Sequence, residues 1–532
     1  MSPFRKLKLE SCSNKQLTMM GSLNNLKGKG MNSIFGKILL ASVGLWVLVT
    51  SGTAQNTFSP GGPDYPIIGN LSGDQVWPDV AISESGGWLV WQDNGADGDG
   101  WGVRAARLNS ALTVVGNVFT VNQMTNHHQE KPRVALLHDG GAVVVWQGGK
   151  KGSQNIYARL INSNGTFLTG DIQVNTYTNE FREDPAVAVL SDGSILVVWV
   201  SFNQDGSMRG IFGQRLNSSG KKLGSEFQIN QFTENNQRSP TVCSFPDGRV
   251  FVAWVSELQR YSRNAVVDIW GRFYKLGNSG ILEPISNEFL VSGNGIALCA
   301  NPIAIPSPEG KVLVVWSQNN SRTLTGDYYV YGQEVPSRLT QRSPSDWDVV
   351  GRLFDADGNP ITEPFRVNTF TMYRQYAPRG SVFGQNFLVV WTSEAQDGSR
   401  EGIFGQFIGL DGTLRGNEFQ INTTTASRQI CPVVGSDGKS RFLVVWTQFG
   451  VDYGFDLRGR VYDLIRLEMT PVIGGVKLTW NTVPRAQYQV QQLSNGKDWI
   501  NVGPVRVATN YSDSLFLQPT NTMAIYRVIR VE

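Results

Sequence analysis

Residues 55–463 repeat the same succession of hydrophobic patterns. Runs such as AVVVW (142–146), ILVVW (195–199) and FLVVW (387–391) are apolar at every position. That suits a strand covered on both faces. Shorter mixed runs flank them: PAVAVL (185–190) before, and GIFGQRL (210–216) and EFQIN (226–230) after. Each set predicts four consecutive strands. Asp139-Gly140, Asp192-Gly193, Asp247-Gly248, Glu309-Gly310 and Asp437-Gly438 separate the first run from the second. Glycine supplies the positive φ of a tight hairpin there.

The apolar run ends in tryptophan seven times, at Trp91, Trp146, Trp199, Trp254, Trp316, Trp391 and Trp446. Each stands 13 or 14 residues after a proline: Pro78, Pro132, Pro185, Pro240, Pro302, Pro378 and Pro432. A four-strand unit repeated at about 40–60 residues is the mark of a propeller-type array. The expected fold class is therefore all-β: a seven-bladed β-propeller followed by a small β-sandwich. The segment YPIIGNL (65–71) reads as a lone fourth strand, and the last unit, after DLRGRVYD (456–463), has no EFQIN copy. The N-terminal strand is expected to complete the seventh blade and close the ring, removing sheet edges.

Residues 466–532 leave the repeat. Alternating runs VKLTW, YQVQQL, WINVG and IYRVIRV predict the sandwich, with Trp480, Tyr488, Trp499 and Tyr526 as core aromatics. Its motifs resemble the fibronectin-type-III-like modules at the C-termini of secreted bacterial proteins. The long repeat, plainest at 197–240 and 389–432, resembles VVxWxSxxQDGSxxGIFGQRFxxxGxxxGxEFQVNTxTxxxQxxPxV of large secreted bacterial surface and haemolysin-like proteins. That resemblance implies an extracellular repeat protein and carries no defined reaction.

Charge and leader sharpen the picture. The chain's net charge is +3, but residues 1–54 hold seven Lys or Arg and one Glu, leaving the remainder at −3. No nucleic-acid footprint is present. MNSIFGKILLASVGLWVLVTSGTAQ (31–55) has a lysine, a short apolar core and small residues before Gln55, as a cleaved signal peptide does. The expected organisation is a leader at 1–54, a propeller at 55–463 and a sandwich at 466–532. The mature protein would be secreted or at the cell surface, monomeric and without a membrane span. Cys243, Cys299 and Cys431 stand at different points of their units, so buried free thiols are expected rather than a disulfide framework.

Candidate chemistry is sparse. His127, His128 and His138 are the only histidines, none in a metal-protease spacing, and no GxSxG, P-loop or dinucleotide fingerprint occurs. The sequence reading is therefore a binding or adhesion protein without catalytic activity and without cofactor. An extracellular carbohydrate-active hydrolase or lyase and a structural spacer of the envelope are the alternatives. Asp97 and Asp99 on a Gly-rich loop are the best Ca²⁺ ligands, against ordinary turn chemistry.

The repeat breaks its length rule between the second and third strands of units four and five. Trp254 to Gly271 is 17 residues and Trp316 to Gly351 is 35, against 12–14 elsewhere. Long loops on a rigid scaffold favour binding. Arg260, Tyr261, Arg322, Tyr328, Tyr329 and Trp347 are the expected ligand contacts, for an extracellular glycan or protein partner. The recurring N-x-x-T-x-x-x-Q would line the same face, unless those side chains cap turns within the units.

Overall fold

The computed structural model describes residues 53–55, 57–260, 266–277, 280–319, 328–330, 333–335, 347–450, 454–494, 498–518 and 524–531. Of the expected leader, residues 1–54, only Thr53 and Ala54 are among them. Every regular element among the described residues is a β-strand. Among the described residues, no helix is long and apolar enough to cross a membrane.

The repeat becomes a series of antiparallel four-strand units. The second strand always pairs with the first on one side and the third on the other, as in Arg182–Val189, Ile195–Phe202, Arg209–Leu216 and Lys222–Gln228. The predicted hairpins hold: Gly140, Gly193, Gly248, Gly310 and Gly438 all have φ between +72° and +84°. At four of the five, the preceding aspartate accepts the N–H two residues on, as Asp192 Oδ1 does from Ser194 at 2.9 Å.

Second strands are buried along almost their whole length because neighbouring units stack on both faces. Each hydrophobic cluster of the repeat is shared by two units. One joins Val143, Val145 and Ile156 to Val197 and Trp199. The next joins Leu196 and Val198 to Val252 and Trp254. Another joins the last unit (Val433, Leu443, Val445) to the first (Leu89, Trp91). All seven marker tryptophans have zero exposure.

The seventh unit takes its outer strand from the chain's beginning. Thr57–Pro60 and Tyr65–Pro66 pair antiparallel with Phe455–Ile465. Asp64 explains why this works. In other units an acidic residue near the end of the fourth strand accepts two successive backbone N–H groups from the preceding unit. Glu226 takes those of Thr176 and Tyr177, and Glu418 those of Thr369 and Phe370. Asp64 does the same to Thr423 and Thr424 and also pairs with Arg458 at 2.6 Å. Burial acts to raise its pKa, but the bonds from Arg458, Thr423 and Thr424 together outweigh it and the net shift is downward. A carboxylate with a lowered folded pKa stabilises above its unfolded value near 4, and that contribution is lost as pH falls through the folded pKa. Asp64→Ala should therefore cost about 1–3 kcal/mol at neutral pH, with the difference from wild type shrinking on acidification. Parallel urea titrations at neutral and acid pH check this, and a pH-independent difference would contradict it.

After Ile465 the chain enters two further sheets. One is Leu467–Val472, Gly475–Asn481 and Ser512–Leu517; the other holds Gln487–Ser494, Asp498–Val507 and Ile525–Val531. Trp480, Tyr488 and Tyr526 are in their shared core, while Trp499 lies outside it and stacks on Arg527. Thr53–Gln55 adds to the second sheet, parallel to Ile525–Val531. The junction is hydrogen-bonded: Asn481 accepts from Arg466 N–H at 2.7 Å and donates to the Leu464 carbonyl. Cys243, Cys299 and Cys431 are buried free thiols.

Candidate functional site

The first strands share one irregularity. In each, the residue before the marker proline has φ between +52° and +57°: Trp77, Lys131, Asp184, Ser239, Asn301, Ala377 and Cys431. The pairing register with the second strand shifts at the same point every time. This is a β-bulge. Proline cannot donate to the ladder, so the strand gains an unpaired residue there. A left-handed, non-glycine residue costs of order 1–3 kcal/mol. A bulge also re-aims side chains and is frequent beside active sites.

Neighbouring units support the bulges. Gln92 Oε1 accepts the Lys131 N–H at 3.2 Å, Gln147 Oε1 that of Asp184 at 3.0 Å, and Ser317 Oγ that of Ala377 at 3.0 Å. Five of the bulge residues (Trp77, Lys131, Asp184, Ser239 and Asn301), with residues that follow the bulge in every unit, line a cavity of about 240 Å³ bounded by all seven first strands.

Its lining carries charge from the first, second, third and sixth units. Lys131 and Asp184, from adjacent units, form an ion pair with little exposure. Asp79 accepts the Val134 N–H at 3.0 Å across a unit boundary. Arg133 and Arg379 each donate to the carbonyl of their own preceding proline, at 3.5 and 3.0 Å. Burial raises the pKa of Asp79, against the pull of Arg133 and Arg379. Burial, helped by the like charge of Arg133, pushes the Arg379 guanidinium down to about 10, with Asp79 opposing. A carboxyl biased toward its acid form, beside an ion-paired carboxylate and two guanidiniums, has the parts for proton transfer and for holding an anionic group.

Of the residues singled out from the sequence, Arg260 and Trp347 are not part of the cavity lining. Arg260 forms a bidentate pair with Asp268 at 2.7 and 2.8 Å and donates to the Gly295 carbonyl. Trp347 is buried at 6% exposure, bridged to Arg374. Tyr328 and Tyr329 lie on strand Tyr328–Val330, paired with Gln333–Val335. Tyr261 and Arg322 lie outside the described residues. Asp97 accepts from the Asn122 amide at 2.7 Å and Asp99 from the His127 N–H at 3.0 Å, both bonds to the loop that follows the fourth strand. No cluster of three potential metal ligands occurs among the described residues.

The recurring polar residues of the loops hold the units together. Asn230 Oδ1 accepts the Ile211 N–H at 2.7 Å, and its amide donates to Phe232, Asp205 and Gln237. Asn422 repeats the pattern with Ile403, Thr424, Asp397 and Gln429. These side chains are turn caps.

Sequence reasoning missed Asp79, Lys131, Arg133, Asp184 and Arg379. A signal was present. Around the marker proline the seven copies read WPD, KPR, DPA, SPT, NPI, APR and CPV, so chemistry varies there while the turns and apolar runs repeat.

No known protein family and no curated protein matches the chain. Among solved structures it is similar to a PL25 ulvan lyase (TM-score 0.45, 9% identity, 74% of this chain and 95% of that one). It is also similar to a Penicillium chrysogenum α-L-arabinanase (0.41, 13%, 63% and 93%) and to a protein of unknown function from Dyadobacter fermentans (0.43, 11%, 63% and 95%). Likeness at such identity concerns the fold. It does correct one expectation. The expectation of a chain without catalytic activity is withdrawn: a polysaccharide lyase and glycoside hydrolases are among the structures it is similar to.

Proposed function

We propose that this chain is a secreted carbohydrate-active protein, a hydrolase or lyase of extracellular glycans, working in the cavity enclosed by the first strands. The scaffold in this reading is a closed seven-bladed β-propeller at 55–463, with the 466–532 sandwich as an attached fibronectin-III-like module. Two features support closure: the hydrophobic cluster between the last and first units, and the N-terminal strand in the seventh unit.

One observation carries the functional reading. The position after the marker proline is Ala186, Thr241, Ile303 or Val433 in four units, so the fold does not require charge there. In the other three it is Asp79, Arg133 and Arg379, and all three line one cavity. Burying charge is costly unless something compensates it. Charge that the scaffold does not need is a functional signature.

The test is to incubate the purified protein with neutral, uronate-bearing and sulfated polysaccharides. New reducing ends report any cleavage, and ultraviolet absorbance of an unsaturated product reports elimination. The expected result is chain cleavage of at least one class, strongly reduced in Asp79→Asn. Intact polysaccharide in every class, or cleavage indifferent to the cavity substitutions, would overturn the proposal.

A further inference from the structure

We infer that the cavity selects a negatively charged sugar unit, held by Arg133 and Arg379 through its carboxylate or sulfate group. This rests on the cavity being the glycan site. The formal count of the charged lining residues is three cations (Lys131, Arg133, Arg379) against two carboxylates (Asp79, Asp184). Lys131 and Asp184 are already paired with each other. What remains is two guanidiniums and one carboxyl.

Neither guanidinium makes an ion pair among the described residues; each has a bond to its own proline carbonyl. Elsewhere in the repeat arginines are tied down more firmly: Arg159, Arg182 and Arg272 each donate to two backbone carbonyls. Arg209, Arg238, Arg374, Arg428 and Arg458 each have a carboxylate oxygen at 2.6–2.9 Å. Arg133 and Arg379 come from the second and sixth units and line the same cavity as Asp79 of the first; both act on the Asp79 carboxyl, and Arg379 feels the like charge of Arg133. Two like charges drawn together in a confined space favour an anion between them. The planar guanidinium fork suits carboxylate and sulfate oxygens. The rest of the lining includes Trp77, Ser239, Asn301 and Thr241, an aromatic surface and neutral hydrogen-bonding groups of the kind a sugar ring uses.

Calorimetric titration tests this with three probes: a galacturonate oligosaccharide, a sulfated gluco-oligosaccharide and a neutral gluco-oligosaccharide. One or both anionic probes should bind, more weakly at higher salt, and the neutral one should not. Arg133→Gln and Arg379→Gln should each weaken binding about 10–100-fold, with Arg379→Lys recovering part of the loss. If Arg379→Gln fails to fold, Arg133→Gln and the salt dependence of the wild type carry the test. Which anionic probe binds identifies the group. Equal binding of the neutral probe, binding unaffected by either substitution, or no binding of any probe would overturn the inference. Arginine-dependent anion binding without cleavage of any glycan would sustain it while removing the proposed activity. Cleavage of a neutral glycan alone would do the opposite.

Discussion

Asp79→Asn is expected to lower glycan cleavage by about 10²–10⁴-fold, the usual worth of a positioned proton donor. Asparagine keeps an acceptor for the Val134 N–H, so the boundary between the first two units stays bonded. What it removes is the proton. Burial raises the pKa of Asp79, the direction that keeps a carboxyl in its acid form. Cleavage that needs this acid should fall as pH rises through the folded pKa, and kcat/KM against pH would show a limb that vanishes in Asp79→Asn.

Stability should move the other way. A carboxyl with a raised folded pKa binds its proton more tightly folded than unfolded, so its contribution weakens as pH rises from the unfolded to the folded value. At neutral pH Asp79→Asn should therefore melt at or above the wild-type temperature. A folded variant with undiminished cleavage would exclude Asp79 as the acid.

Trp199→Ala should cost about 3–5 kcal/mol, the range for truncating a large buried aromatic. Trp199 is wholly buried, and its cluster draws Val145 and Ile156 from the preceding unit as well as Val197 from its own. Its indole N–H has no partner among the described residues, so the expected loss is packing and cavity formation rather than a broken hydrogen bond. Trp499 offers the contrast. It lies outside the sandwich core, stacks on Arg527 at 4.2 Å, and its truncation should cost much less. Guanidinium denaturation of both variants checks the difference. A Trp199→Ala loss under about 1 kcal/mol would mean that the interface between units can collapse onto the gap.

Much of the scaffold could be read directly. The four-strand unit, the Asp-Gly hairpins and the doubly buried second strand follow from interactions between residues close in the chain. Glycine φ, Asx bonding and local hydrophobic pattern are all local. The N-terminal strand was recognisable because YPIIGNL resembles a fourth strand, and Asp64 stands where Glu226 and Glu418 stand in their copies. The polar N-x-x-T-x-x-x-Q residues were visible as a repeat, but only the structure separates capping from binding. Asn230 and Asn422 spend their amides on backbone and on neighbouring side chains.

The cavity was not readable in the same way. Loop length pointed to units four and five, yet Arg260 is committed to Asp268 and Trp347 is buried. Asp79 and Arg379 stand 300 positions apart in the chain. A strand's period of two cannot show which way they point, because the bulge before each proline inserts a residue and changes the face. The amino-acid order alone therefore determines the repeating unit, its turns and its buried tryptophans, since those depend on near neighbours. Which side chains from different units meet was decided by the tertiary structure, through the bulge geometry and the packing of the last unit against the first.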